Sequence, residues 1–374
     1  MSCSMLSRKE ILEILSISRP DEMQDLSRRA GLCLEEQLGS RVYYRGLIEY
    51  SNICSRDCLY CGIRRSAGDI QRYTLAEEEI LNAADFAAGK GYGSLTLQSG
   101  ESASEAAVDF AASIIRKIKK RTASSLLPRG LGITLCIGEQ TEASYRRLFE
   151  AGAHRYLLRI ESSNPAMYRR IHPRGDSLQG RIDCLRNLKK IGFQTGTGVM
   201  IGLPGQSIED LADDVEFFYR ENVDMIGMGP FIPHSGTPLG AFGNYPAAET
   251  RLELSLKMIA AVRLAIPDVN IASTTALQAL HPMGREMGLN FGANVLMPVI
   301  TPGEVRKQYQ LYDGKPCLDD SPEDCANCLI SRVGSTGRSI AFNSWGDPLH
   351  FFADRHTHTG DEHEGAWDAE RETV

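Results

Sequence analysis

The 374-residue sequence has no run of lysines and arginines long enough to make a phosphate-tracking stripe, and its 41 basic residues are outnumbered by 48 acidic ones, for a formal charge of −7. Lacking a basic stripe to follow a phosphate backbone, the chain is not expected to bind nucleic acid. Long hydrophobic runs are missing too: nothing approaches the roughly 20 apolar residues that cross a bilayer. The opening MSCSMLSRKEILEILSISRP carries charges inside its apolar part and does not read as a secretory segment. A cytoplasmic protein with no membrane partner is expected. An evenly spread disulfide framework is absent as well. Of ten cysteines, six fall in two tight groups, Cys54, Cys58, Cys61 and Cys317, Cys325, Cys328. Without a secretory segment, such grouping reads as metal binding. The scattered Cys3, Cys33, Cys136 and Cys184 are expected to be reduced thiols, with Cys136 and Cys184 buried.

What is present is alternation. Hydrophobic residues at 42% suffice for a full core. After helical patterning over roughly 7–38, eight apolar strand patterns alternate with helical ones, beginning with RVYYRGLIEYS and ending with NIASTTAL and ANVLMPV. Thr74, three residues before Glu77, fits the hydroxyl of a capping box. A doubly wound open sheet shares this alternation. Eight units, with candidate residues recurring at strand ends, favour an α/β fold of a complete (β/α)8 TIM-type barrel. The expected organisation is an N-terminal helical extension (1–38), the barrel (39–312), a C-terminal cysteine-containing extension (313–352) and a disordered polar tail (353–374).

The sharpest signal is SNICSRDCLYCGIRRS, directly after the first strand. A cubane iron–sulfur cluster takes four cysteine ligands, one per iron. Cys54, Cys58 and Cys61 can hold three corners and leave the fourth iron open to a cofactor or substrate. A zinc site wants a fourth ligand at short range, and the nearest downstream candidates are Cys136 and His154. Other features read more blandly. Met200, Met225, Met228 and Met297 suit core packing, and GTGVMIG lacks the ending of a phosphate-binding loop. Gly196, Gly198, Gly202 and Gly205 allow close backbone approach. His234 and His281 read as isolated histidines with no carboxylate partner nearby, and the tail histidines as solvated.

The Cys54, Cys58, Cys61 spacing on the first loop of a barrel resembles the radical S-adenosylmethionine (SAM) superfamily. RGLIEYSNICSRDCLYCGIRR, LTLQSGE, AGAHRYLLRIESSNP, GTGVMIGLPGQ, DMIGMGPFIPH, NIASTTAL, GANVLMP and YQLYDGK resemble the HydE-type FeFe-hydrogenase maturases within it, from about Arg45 to Gly314. The resemblance implies a 4Fe–4S cluster on the three cysteines that reduces SAM and yields a 5′-deoxyadenosyl radical. It implies SAM contacts from Tyr60, the Ser99-Gly100-Glu101 turn, Arg159, Glu161 and Arg181. Arg181 would pair with the methionine carboxylate, a role suited to a planar guanidinium. Arg159 and Glu161 alternate about Ile160, so both can face the mouth. Thr134, Thr274, Thr275, Tyr309 and Tyr312 would surround the internal cavity.

Cys317, Cys325 and Cys328 again leave one ligand missing, and suit an auxiliary 2Fe–2S or 4Fe–4S cluster or a zinc ion. Their spacing resembles the accessory site of some HydE-type proteins. The implied substrate is a cysteine-bound iron carbonyl-cyanide complex, attacked at the cysteine sulfur during assembly of the hydrogenase di-iron site. Companion maturases and a ferredoxin or flavodoxin reductant would be the partners. Two rivals stand: a radical SAM enzyme for an organic substrate, of methylornithine synthase or biotin synthase type, and a non-catalytic iron–sulfur carrier.

Overall fold

The computed structural model describes residues 6–358. The chain opens with helices Arg8–Leu15 and Pro20–Leu38. Ser7 caps the first, accepting from Glu10 N–H while Glu10 accepts from Ser7 N–H, and Pro20 starts the second, where its missing N–H costs nothing. They pack on helices Ile208–Arg220 and Ala248–Ala265.

Eleven strands follow in the described residues: β1 (Arg41–Ser51), β2 (Ser94–Ser99), β3 (Gly132–Cys136), β4 (Arg155–Leu157), β5 (Gln194–Thr197), β6 (Met200–Ile201), β7 (Met225–Ile226), β8 (Gly229–Pro230), β9 (Asn270–Ile271), β10 (Val295–Leu296) and β11 (Ser339–Ile340). The main sheet is parallel throughout and runs β10-β1-β2-β3-β4-β5-β7-β9, with β11 added to the start of β1. The outermost strands also meet: Asn294 N–H donates to Ile271 O (2.9 Å) and Ser273 N–H to Val295 O (2.9 Å). The connecting helices supply the outer apolar layer. Helix Glu105–Arg121 buries Val108, Ala111, Ala112, Ile115 and Ile118, a stripe at helical spacing, behind an Ser104 cap.

The first strand coincides with the expected RVYYRGLIEYS, but several expectations need correction. Thr74 does not cap a helix. It pairs in extended conformation with Ser51, hydroxyl to hydroxyl at 2.9 Å, and the helix starts at Glu77 with Glu79 accepting from Ala76 N–H. The fifth and sixth strands each split, into β5 and β6 and into β7 and β8. The Arg159 guanidinium takes the carbonyls of Gly227 and Val199 at the break, while Gly198 O accepts from Ile160 and Glu161 N–H. NIASTTAL is strand only at its start, because helix Thr275–Leu280 begins within it. Cys136 and Cys184 are half-buried rather than buried. The stretch read as a tail from 353 begins inside helix Leu349–His358, and 359–374 lie outside the described residues.

The segment before that helix plugs the N-terminal end of the sheet. Trp345 stacks on His154 (centroids 4.5 Å apart) and donates to Gly130 O (2.9 Å). Asp347 pairs with the fully buried Arg155, which also holds Thr134 Oγ1 (3.0 Å) and Ser94 Oγ (2.6 Å). Among the described residues no helix is long and apolar enough to cross a membrane.

Candidate active site

At the opposite end, β1 runs into the cysteine loop, and two polar side chains anchor that loop. Asn52, fully buried, donates to Gln71 O and Gln308 O (both 2.8 Å) and accepts from Tyr73 N–H (2.8 Å). Arg72 gathers the carbonyls of Asn52 (2.7 Å), Ile63 (2.8 Å) and Arg64 (2.6 Å). The turn after β2 locks onto the loop from the other side. Ser55 N–H and Oγ both donate to Glu101 O (2.8 and 2.9 Å), and Gly100 N–H donates to Ser51 O (2.8 Å). A Cβ at Gly100 would press on Ile53 O and stand 2.8 Å from Cys54 Cβ, so only glycine fits there.

The three thiols are half-buried. Cys54 Sγ accepts backbone N–H from Arg56 and Glu101, both at 3.4 Å. Burial pushes the Cys58 thiol up to about 12, against the pull of Arg181, and raises Cys61 as well. Left to themselves Cys58 and Cys61 stay protonated, so a thiolate at either needs a cationic centre beside it.

Two arginines and three carboxylates surround the loop. Arg56 binds Glu101 through Nε, Asp176 (2.7 Å) and Glu139 (2.8 Å). Arg181 reaches the other oxygens of Glu101 (3.1 Å) and Glu139 (2.9 Å), and its Nε donates to Arg159 O (2.8 Å). Arg159 pairs with Glu161 (2.8 Å), which holds a left-handed backbone (φ 62°). Thus Glu101, Arg159, Glu161 and Arg181 do converge with the cysteines. Ser99 turns away, its hydroxyl donating to Gly100 O (2.7 Å). Tyr60 lies 3.4 Å from Nε2 of His172, a histidine stacked on Tyr168 and pushed down to about 4 by burial, hence neutral. Sequence reading missed Arg56, Glu139, Asp176, Asn52 and Arg72. Only Arg56, sitting between two cysteines, left any signal.

The five cavity candidates divide. Thr134 lies deep, with Arg45, Thr96, Met225 and Met297, around a cavity of about 20 Å³, room for roughly one water. The other four sit nearer the mouth. Tyr309 OH accepts from Gln98 (3.2 Å), Thr275 meets Tyr312 OH (3.0 Å), and Thr274 Oγ1 is buried without a partner. Beside them Lys315 and Glu49 form a buried pair (2.5 Å). Met200, Met225 and Met228 are buried as core residues. His234 does have a carboxylate neighbour, Asp313 at 3.7 Å, contrary to the sequence reading.

In the second cysteine group, Cys317 and Cys325 are close enough that each thiol shifts the other, Cys317 up and Cys325 down. Cys328, one turn on along helix Pro322–Ser335, is exposed and accepts from Arg332 Nε (3.2 Å). Among the described residues no three His, Cys, Asp or Glu side chains converge tightly enough to surround one metal ion.

A family model for the radical SAM superfamily matches residues 48–218. The FeFe-hydrogenase maturase subunit HydE of Thermotoga maritima is 40% identical over 340 residues, 91% of this chain and 93% of its own. The 3-methylornithine synthase of Methanosarcina acetivorans is 26% identical over 90% of this chain and 91% of its own. Among solved structures, methylornithine synthase PylB superposes with a TM-score of 0.77 at 23% identity, covering 95% of this chain and 97% of that one. The maturase HydG of Carboxydothermus hydrogenoformans gives 0.74 at 22% identity over 91% and 77%. At such identities these two speak for the fold alone. Cysteine loop, parallel sheet and family match together define a radical SAM enzyme. Within that class the chain belongs to the HydE family of hydrogenase maturases.

That family implies a 4Fe–4S cluster and SAM as cofactors. The residues present fit both. Cys54 Sγ, with two N–H donors, is built to carry negative charge, and Cys58 and Cys61 need a cation to ionise. Paired carboxylates and guanidinia beside them suit a zwitterionic amino acid.

Proposed function

We propose that this chain cleaves SAM reductively and acts on a cysteine-bound iron carbonyl-cyanide complex during maturation of the FeFe-hydrogenase active-site cluster. The observation that carries this reading is the 40% identity to T. maritima HydE across nearly the whole chain, with the cysteine loop intact. Cys54, Cys58 and Cys61 would hold the 4Fe–4S cluster, which with SAM supplies a 5′-deoxyadenosyl radical.

The chain's own residues do the rest. Arg181, reached through its planar fork, binds the methionine carboxylate. Glu101, with carbonyls of the Ser99-Gly100-Glu101 turn, takes the ammonium, and Arg159 with Glu161 fixes the opposite wall. Tyr60, held by His172, flanks the adenosyl side. Thr274, Thr275, Tyr309 and Tyr312 line the substrate space, with the unpartnered Thr274 hydroxyl free to bond a ligand. We read the sheet as closed into a complete (β/α)8 barrel, supported by the hydrogen bonds joining β9 and β10. Closure keeps water and stray hydrogen donors from a radical. Cys317, Cys325 and Cys328 would hold an auxiliary iron–sulfur cluster. We read the site of action as cytoplasmic, with a ferredoxin or flavodoxin as reductant and companion maturases as partners.

The test is anaerobic mass spectrometry of SAM products from reduced, reconstituted protein, with and without the iron complex. An adenosyl–cysteine adduct formed only with the complex is the expected result. Unchanged 5′-deoxyadenosine would sink the substrate assignment and point to an organic substrate.

A further inference from the structure

Around the second cysteine group, four buried donor atoms have no partner among the described residues: Tyr44 OH, Tyr92 OH, and Nε and Nη2 of Arg285. All three residues are only 1% exposed. They lie together. Helix Gly284–Asn290, which carries Arg285, packs on the helix that carries Cys325 and Cys328, and Arg332 ties the two by binding both Cys328 Sγ (3.2 Å) and Glu286 (2.9 Å). Tyr44 lies on β1, which pairs with both β10 and β11, β11 packs on the same cysteine-bearing helix, and burial, with Cys325 adding to it, holds both tyrosine hydroxyls above their usual range. The two tyrosine rings meet edge to face, 5.4 Å apart. No carboxylate pairs with Arg285 among the described residues, because its neighbour Glu286 is taken by Arg332 (2.9 Å).

Buried donors are almost always satisfied, and a buried guanidinium lacking a counter-charge is costly. Four such atoms on elements packed around one trio of thiols call for an anionic group rich in acceptors. A single zinc ion would offer them only the thiolate sulfurs. An iron–sulfur cluster adds inorganic sulfides, which accept hydrogen bonds, and it carries net negative charge.

Resting on the reading of this group as an auxiliary cluster site, we infer that Arg285, Tyr44 and Tyr92 are the donors that hold an iron–sulfur cluster on Cys317, Cys325 and Cys328 and raise its reduction potential. The direction follows from charge: reduction adds an electron to the cluster, and donors plus a guanidinium favour the more negative state.

The experiment uses the full chain reconstituted anaerobically with ferrous iron and sulfide. Iron and acid-labile sulfide are counted, and potentials are read by EPR-monitored titration. Second-site signals are those lost in Cys325→Ala. Arg285→Met, Tyr44→Phe and Tyr92→Phe should retain first-site iron, shift the second-site potential negative and release second-site iron faster to a chelator. Arg285→Lys should recover part of the shift, which a merely structural role would not predict. The Tyr→Phe variants keep ring volume, so they report even where Arg285→Met fails to fold. Unchanged potential and retention in all three variants would overturn the donor set while leaving the cluster in place. Wild-type protein that binds only zinc there, or nothing, would overturn both.

Discussion

Arg56 and Arg181 hold the same two carboxylates, Glu101 and Glu139, from opposite sides. On the proposed reading, a methionine carboxylate arriving at Arg181 would displace those oxygens, and Arg56 would keep them from being left bare. Removing Arg56 therefore strands two partly buried carboxylates beside the ligand. Arg56→Met should weaken SAM binding about tenfold, on the order of 1.4 kcal/mol, the scale of one charge-assisted hydrogen bond. Equilibrium dialysis on reconstituted protein with matched iron content would check this. Unaltered affinity would show that the network is only structural.

The two cysteine groups should separate cleanly in function. Cys54→Ala removes a ligand of the first group, and SAM cleavage should vanish, whereas Cys325→Ala should leave most of it. Product quantification under dithionite distinguishes them, and retained cleavage in Cys54→Ala would end the assignment of the first cluster.

Gly100 carries the contact between the second strand's turn and the cysteine loop. Its missing Cβ would collide with Ile53 O and crowd Cys54 Cβ at 2.8 Å. Gly100→Ala should keep the fold by circular dichroism yet lose first-site iron, because the backbone on which Cys54 rides must move. Wild-type iron content in this variant would contradict the close approach.

Stability should fall with acidification through His154. Burial pushes its pKa down to about 3, with Arg155 adding to that against the pull of Asp347. The ring is therefore neutral: Nδ1 accepts from Ile133 N–H (3.4 Å) and Nε2–H donates to Asp347 (3.1 Å), a hydrogen bond rather than an ion pair. An unfolded histidine titrates near about 6.5. Between those values the unfolded chain binds the extra proton, so stability is full above about 6.5 and is lost as pH falls below it. From pH 7 to pH 5 this residue should contribute a loss of about 2 kcal/mol in urea denaturation, at about 1.4 kcal/mol per pH unit. His154→Gln should flatten that part of the profile, and an unchanged slope would place the proton uptake elsewhere. His172, lowered to about 4, acts with the same sign.

How much of this was legible beforehand differs from element to element. β1 was readable to the residue because its apolar run and the cysteines after it are local signals. The divided β5/β6 and β7/β8 were not, because the interruption comes from Arg159 reaching across to Gly227 and Val199. Thr74 satisfied the capping pattern and was claimed instead by Ser51, 23 residues away.

By itself the sequence determined the α/β alternation and the trio of thiols at the end of β1, since each rests on spacing along the chain, and its segments carried the resemblance to the family. Tertiary structure alone decided the arginine–carboxylate lattice: Arg56 meets Glu139 and Asp176 across 83 and 120 residues. It likewise decided the seal of Asp347 on Arg155, 192 residues apart, and the unpaired donors around Cys325. Such contacts have no period to read. They exist only because parallel strands bring successive loops to one end of the sheet, where charges distant in the chain become nearest neighbours.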